Sequence, residues 1–171
     1  PDGDKIALEV STPRRWQPHD PTAVLVHGLC GCHHSPYMQR LARKLWRCGI
    51  RAVRMNLRGC GSGRGLARYP YHSGRSADVL AVLESLQRTA PPSPLTLIGF
   101  SLGGNIVLKL AGELSAAGPD TLQHVIAICP PADLVDYGKP GRTIVEYEPV
   151  KFVWHAFDVQ DRAKEERVKV L

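Results

Sequence analysis

The sequence predicts an α/β fold with a doubly wound, mostly parallel sheet, and three observations carry that prediction. Short β-rich apolar runs alternate with stretches of helical periodicity between residues 23 and 129. Glycine and proline breaks separate these elements in a βαβ series, which packs best as a parallel sheet with helices on both faces. A hydrophobic content of 43% over 171 residues suits one globular domain with a core of its own.

The elements follow in order. Residues 5–11 read as an early strand and 13–21 as a turn-rich connection. Residues 23–27 form a β-rich run, and after a glycine-containing loop Ser35 and Pro36 open a helix over 37–48. Serine suits the N-cap because its side-chain oxygen accepts an orphan N–H, and proline suits the first turn because its φ is already fixed there. Helical spacing turns Met38, Leu41, Leu45 and Trp46 toward the core, and Gly49 stops the helix.

Residues 52–57 make the next strand, 58–74 a glycine-rich loop, and 77–88 an amphipathic helix on Val79, Leu80, Val82, Leu83 and Leu86. Ser73 and Ser76 are its candidate caps, and His72 suits an ordering role in the loop before it. Pro91, Pro92 and Pro94 break the chain. A strand over 95–98 then leads through a turn to a helix over 105–117, with Ile106, Val107, Leu110, Ala111 and Leu114 at its apolar spacing. Residues 125–129 form a further strand, ended by Pro130 and Pro131.

The turn at Gly99-Phe100-Ser101-Leu102-Gly103 matches G-x-S-x-G. Between a strand and a helix this pattern makes a strained turn that lifts the serine hydroxyl clear of the backbone, with the glycines removing β-carbons that would collide. Five residues with three fixed positions recur by chance, so two readings stand for the segment alone: a nucleophile at Ser101, or a glycine turn that only packs a helix closely on a sheet. Ligands of such sheets sit beyond the carboxyl ends of the strands, and His27-Gly28 and Ser101 both fall at that edge.

Composition narrows the other classes. The net charge of +6 rests largely on arginines, which favours anionic partners. The aromatic fraction is only 6% and the arginines are spread over helix, strand and loop, so no nucleic-acid surface is expected. A solvated basic face is the favoured reading, with peripheral contact to an anionic membrane as the second. The glycine loop 58–65 lacks the Gly-Lys-Ser/Thr ending of a P-loop and does not match G-x-G-x-x-G, so no nucleotide is expected. The five cysteines, Cys30, Cys32, Cys48, Cys60 and Cys129, read as free thiols of a reducing, cytoplasmic compartment. Cys30, Cys32, His33 and His34 offer soft and imidazole ligands to zinc, but no second pair stands at zinc-finger spacing; no metal or cofactor is expected. No apolar run approaches the roughly 20 residues of a membrane-spanning helix. Residues 1–4 lack the basic and apolar regions of a signal peptide, but the chain begins with Pro1 rather than Met, so they do not decide targeting.

Four stretches together resemble the α/β-hydrolase fold, and within it the YheT-like branch of esterases and lipases. They are Val26-His27-Gly28-Leu29 with Ser35-Pro36-Tyr37, Asn56-Leu57-Arg58-Gly59-Cys60, Tyr71-His72-Ser73-Gly74, and Gly99-Phe100-Ser101-Leu102-Gly103-Gly104-Asn105. The resemblance implies an α/β-hydrolase core over residues 1–134, a divergent tail over 135–171, and a C-terminal part of the fold that is incomplete. It implies that Ser101 attacks a carboxylic ester of a small molecule or lipid and forms an acyl-enzyme. The backbone N–H groups of Leu29 and Leu102 would form the oxyanion hole. His27, Gly28, Gly99 and Gly103 would shape the site, a structural role for His27 being favoured over that of general base.

The family orders its triad as serine, acid, histidine. Residues 149–158 resemble the strand that leads to the acid, which makes Asp158 the candidate; an unrelated tail or a truncated chain is the competing and favoured reading. The base is unassigned, and losing the histidine of such a unit costs about a millionfold in turnover. A poor esterase, or a non-catalytic scaffold that binds a ligand or partner, is therefore the alternative function. An uncovered sheet edge would favour self-association.

Overall fold

The computed structural model describes residues 2–114, 119–131 and 154–158, the last for its backbone path only. The strands are β1 (Leu8–Ser11), β2 (Thr22–Val26), β3 (Arg51–Met55), β4 (Leu95–Phe100), β5 (Leu122–Ile128) and β6 (Trp154–Asp158). The helices are α1 (Pro36–Arg47), α2 (Ser76–Thr89) and α3 (Leu102–Glu113). One sheet runs in the order β1-β3-β2-β4-β5-β6. Its four central strands are parallel, while β1 lies antiparallel to β3 and β6 antiparallel to β5.

β2 is buried along its whole length, as a central strand covered on both faces must be. Its side chains alternate between two apolar layers. Val24 and Val26 join Val53, Met55, Leu83, Leu97, Ile106 and Leu110 on the face covered by α2 and α3. Ala23 and Leu25 join Met38, Ala42, Ala52 and Ile98 under α1. The sheet is therefore wound on both sides.

Several boundaries differ from the sequence expectation for identifiable reasons. α3 starts at Leu102 rather than 105, because Gly103 and Gly104 sit inside its first turn where the helix must approach the sheet closely. Ser35 occupies the N-cap position of α1 without a capping bond; its Oγ instead accepts from the Cys32 N–H at 3.0 Å. Trp46 lies outside the core, 44% exposed, with its indole N–H donating to the Thr12 carbonyl. Ala42 takes the core position instead. Neither Ser73 nor Ser76 caps α2: Arg75 stands at the N-cap, and Ser76 donates to Glu113 of α3. Of the tail over 135–171, only β6 falls within the described residues.

Candidate functional site

Strands β2 and β4 are neighbours in parallel register, with Val26 beside Gly99. Their carboxyl ends therefore bring the chain after Val26 next to the chain after Phe100. Ser101 sits at that junction with φ 49° and ψ −119°. A non-glycine residue in such a region costs on the order of 1–3 kcal/mol and persists only where its surroundings fix it. Here its N–H donates to the Ile128 carbonyl of β5 at 2.9 Å, and its carbonyl accepts from the Asn105 N–H of α3 at 3.2 Å. The serine is exposed.

The glycines around it leave no space for a side chain. A β-carbon on Gly99 would lie 2.3 Å from the Gly103 carbonyl oxygen, and one on Gly103 would lie 2.5 Å from the carbonyl oxygens of Val26 and His27. The first turn of α3 is thus packed directly on the ends of β2 and β4. Gly28 faces the serine: a β-carbon there would lie 3.1 Å from Ser101 Cβ and 3.7 Å from its Oγ.

Residues 28–31 form a tight turn closed by the Gly31 N–H on the Gly28 carbonyl at 3.1 Å, with Cys30 at φ 55°. His27, fully buried, anchors it. The Leu57 N–H donates to His27 Nε2 at 3.0 Å, so Nδ1 carries the proton and donates to the Gly28 carbonyl at 2.8 Å. Burial holds this imidazole below its ordinary pKa; the bond to the Gly28 carbonyl opposes the shift and nearby His33 adds to it. With both nitrogens engaged, His27 is a neutral strut between the turn and the end of β3.

Leu29 is 57% exposed at the second position of the turn, and its N–H meets no acceptor among the described residues. Leu102 opens α3, where a helix has no acceptor of its own for the first N–H groups.

The backbone of Asp158, the candidate acid, lies away from this edge. β6 runs antiparallel to β5, pairing Trp154 with Ile128 and Asp158 with His124. Ile128 pairs in turn with Phe100, and His124 with Thr96. The Asp158 backbone therefore lies level with Thr96, about 13 Å back along the sheet from Phe100, the residue before Ser101, at about 3.3 Å per residue. The reversed direction of β6 is the physical reason: a parallel strand would have carried its last residue to the Ser101 edge. Among the described residues, no side chain hydrogen-bonds to Ser101 Oγ, and no cluster of His, Cys, Asp or Glu is arranged to hold a metal.

Three further residues surround the site that motif reading alone does not single out. Asn56, fully buried at the end of β3, accepts at Oδ1 from the His33 N–H at 2.9 Å and meets His33 Nδ1 at the same distance. Tyr37 and Tyr71 each receive an N–H from the turn. All three lie in the stretches that carry the family resemblance, but their partners are 9 to 41 residues away in sequence, and no local pattern announces them.

The family of the alpha/beta hydrolase fold matches residues 21–154. YheT of Escherichia coli (strain K12) is 36% identical over 113 residues, covering 66% of this chain and 33% of YheT. The medium-chain fatty acid ethyl ester synthase/esterase 2 of Saccharomyces cerevisiae is 29% identical over 116 residues, 67% of this chain and 25% of the yeast protein. The chain thus spans about a third or less of the length of these relatives. Among solved structures, XC6422 of Xanthomonas campestris, described as an α/β serine hydrolase without a lid, aligns with a TM-score of 0.55 at 32% identity, covering 64% of this chain and 51% of that one. Sheet order and family match agree, and the chain belongs to the α/β-hydrolase fold family.

Proposed function

We propose that this chain carries the nucleophile half of a serine hydrolase that cleaves carboxylic esters of small acyl compounds or lipids. The observation that carries the reading is Ser101 itself, held at φ 49° on the turn between β4 and α3 and faced by Gly28 rather than by a side chain. Ser101 Oγ attacks the ester carbonyl, and the carbonyl oxygen takes up negative charge between the Leu29 and Leu102 N–H groups. Collapse expels the alcohol and leaves an acyl-Ser101 ester that water then cleaves. Each donor of such a pair is typically worth about 100- to 1,000-fold in rate. The yeast relative's name, an ester synthase and esterase, supports an acyl ester as the substrate class. The net charge of +6 favours an ester presented beside an anionic head group or membrane surface.

The test is active-site labelling. A fluorophosphonate probe added to the full-length protein is expected to modify Ser101, identified by peptide mass, and Ser101→Ala is expected to abolish both labelling and turnover of p-nitrophenyl butyrate. A folded full-length protein that resists the probe would overturn the catalytic reading and leave the binding scaffold as its alternative.

A further inference from the structure

The turn over residues 28–31 contains four backbone N–H groups, and three of them are engaged within the protein. Gly28 N–H donates to the Tyr37 hydroxyl at 3.0 Å, Cys30 N–H to the Tyr71 hydroxyl at 3.0 Å, and Gly31 N–H to the Gly28 carbonyl at 3.1 Å. Only the Leu29 N–H is left without an acceptor among the described residues. The two tyrosines reach the turn from different parts of the fold. Tyr37 comes from the first turn of α1, Tyr71 from the loop between β3 and α2.

We propose that Tyr37 and Tyr71 are paired positioning residues, their hydroxyls clamping the amides on either side of Leu29 so that its N–H alone stays free for the oxyanion formed at Ser101. The inference rests on the serine-hydrolase reading given above. Both rings are themselves fixed. Tyr37 packs on Phe100, the residue before Ser101, with ring centroids 4.7 Å apart, so one side chain spans the turn and the serine. A β-carbon on Gly31 would lie 2.9 Å from the Tyr37 hydroxyl, so the glycine there leaves room for that contact. Tyr71 stands edge-on to His27, with ring centroids 6.4 Å apart.

The chemistry suits the task. A tyrosine hydroxyl accepts an N–H on its lone pairs, and burial pushes the Tyr71 phenol above its ordinary range, which keeps it a neutral acceptor. A turn with Cys30 at φ 55° is otherwise poorly fixed for a non-glycine residue. Without the clamp, the turn could rotate its peptide planes and withdraw the Leu29 donor. Tyr→Phe keeps each ring and removes only the acceptor.

The experiment uses the full-length protein with Tyr37→Phe, Tyr71→Phe and both together. Three quantities are read: the rate of fluorophosphonate labelling at Ser101, kcat and KM on p-nitrophenyl butyrate, and amide hydrogen exchange of the peptide covering residues 28–31. Each single variant is expected to lower kcat and the labelling rate about 10-fold, less than the roughly 100-fold or greater cost of deleting a donor outright, because the donor remains and only its placement loosens. KM should stay within about twofold, since the donor acts on charge that develops in the transition state. Exchange over 28–31 should quicken in the same variants. A merely structural tyrosine would lower the melting temperature and leave kcat of the folded enzyme untouched, and that result overturns the proposal. So does a rise in KM at constant kcat, or unchanged exchange in both variants. If one variant fails to fold, the other carries the test. Wild-type protein that resists the probe refutes the hydrolase reading itself, whereas labelled wild type with variants labelled equally fast refutes the clamp alone.

Discussion

Ser101 holds its position at a cost in backbone strain. At φ 49° and ψ −119° it occupies a region that glycine enters freely and L-residues avoid. Ser101→Gly is therefore expected to raise stability by roughly 1 kcal/mol while abolishing labelling. Ser101→Ala, which keeps the β-carbon, should abolish labelling with little change in stability. Urea unfolding midpoints of the two variants decide this, and a less stable Ser101→Gly would show that the turn is held without strain. The neighbouring glycines behave differently, because at 99 and 103 the obstacle is backbone oxygen rather than torsion.

Elements were legible wherever the apolar period was strong. The α2 positions named from spacing, Val79, Val82, Leu83 and Leu86, are buried, and Leu80 packs against the same cluster. Leu83 is fully buried between α2 and the sheet, so Leu83→Ala is expected to cost about 2–5 kcal/mol, read as a shift in urea midpoint. A cost under about 1 kcal/mol would mean that α2 is not packed as described. The sequence misplaced what tertiary contacts decide. Trp46 has a core-like period, yet its indole N–H is drawn to the Thr12 carbonyl and the ring stays at the surface. Ser35 looks like a cap but turns its oxygen to Cys32. Of the site, Ser101, Gly28 and the glycine pair could be read from a local motif. The tyrosine hydroxyls could not, because their acceptor roles depend on turns 9 and 41 residues away meeting at one edge of the sheet.

At the scale of the molecule, one buried guanidinium ties the N-terminal segment to the helical layer. Arg58 binds Asp78 of α2 through Nε and a terminal nitrogen, both at 2.6 Å, and its other terminal nitrogen reaches Asp2 at 2.8 Å and Asp4 at 2.5 Å. The hydrogen bond from Arg58 is the main cause that lowers the Asp2 pKa from 3.8 to about 2. A carboxyl whose folded pKa is depressed stabilises the fold above its unfolded value and loses that contribution as pH falls through the folded value. The advantage of wild type over Asp2→Asn should therefore be present above about pH 4 and be lost as pH falls through about 2. Equal pH dependence of the two proteins in urea titrations over that range would contradict it.

The strand order also sets a schedule. β2 occupies the middle of the sheet, and its partner on one side, β4, ends at Phe100, long after β2 itself ends at Val26. A ribosome adding about 5–20 residues per second leaves one edge of that apolar strand unpaired for roughly 4–15 s while the intervening chain is made. During synthesis this hydrophobic edge is a liability of the nascent chain, and the time to its closure is fixed by topology rather than by the stability of the finished protein.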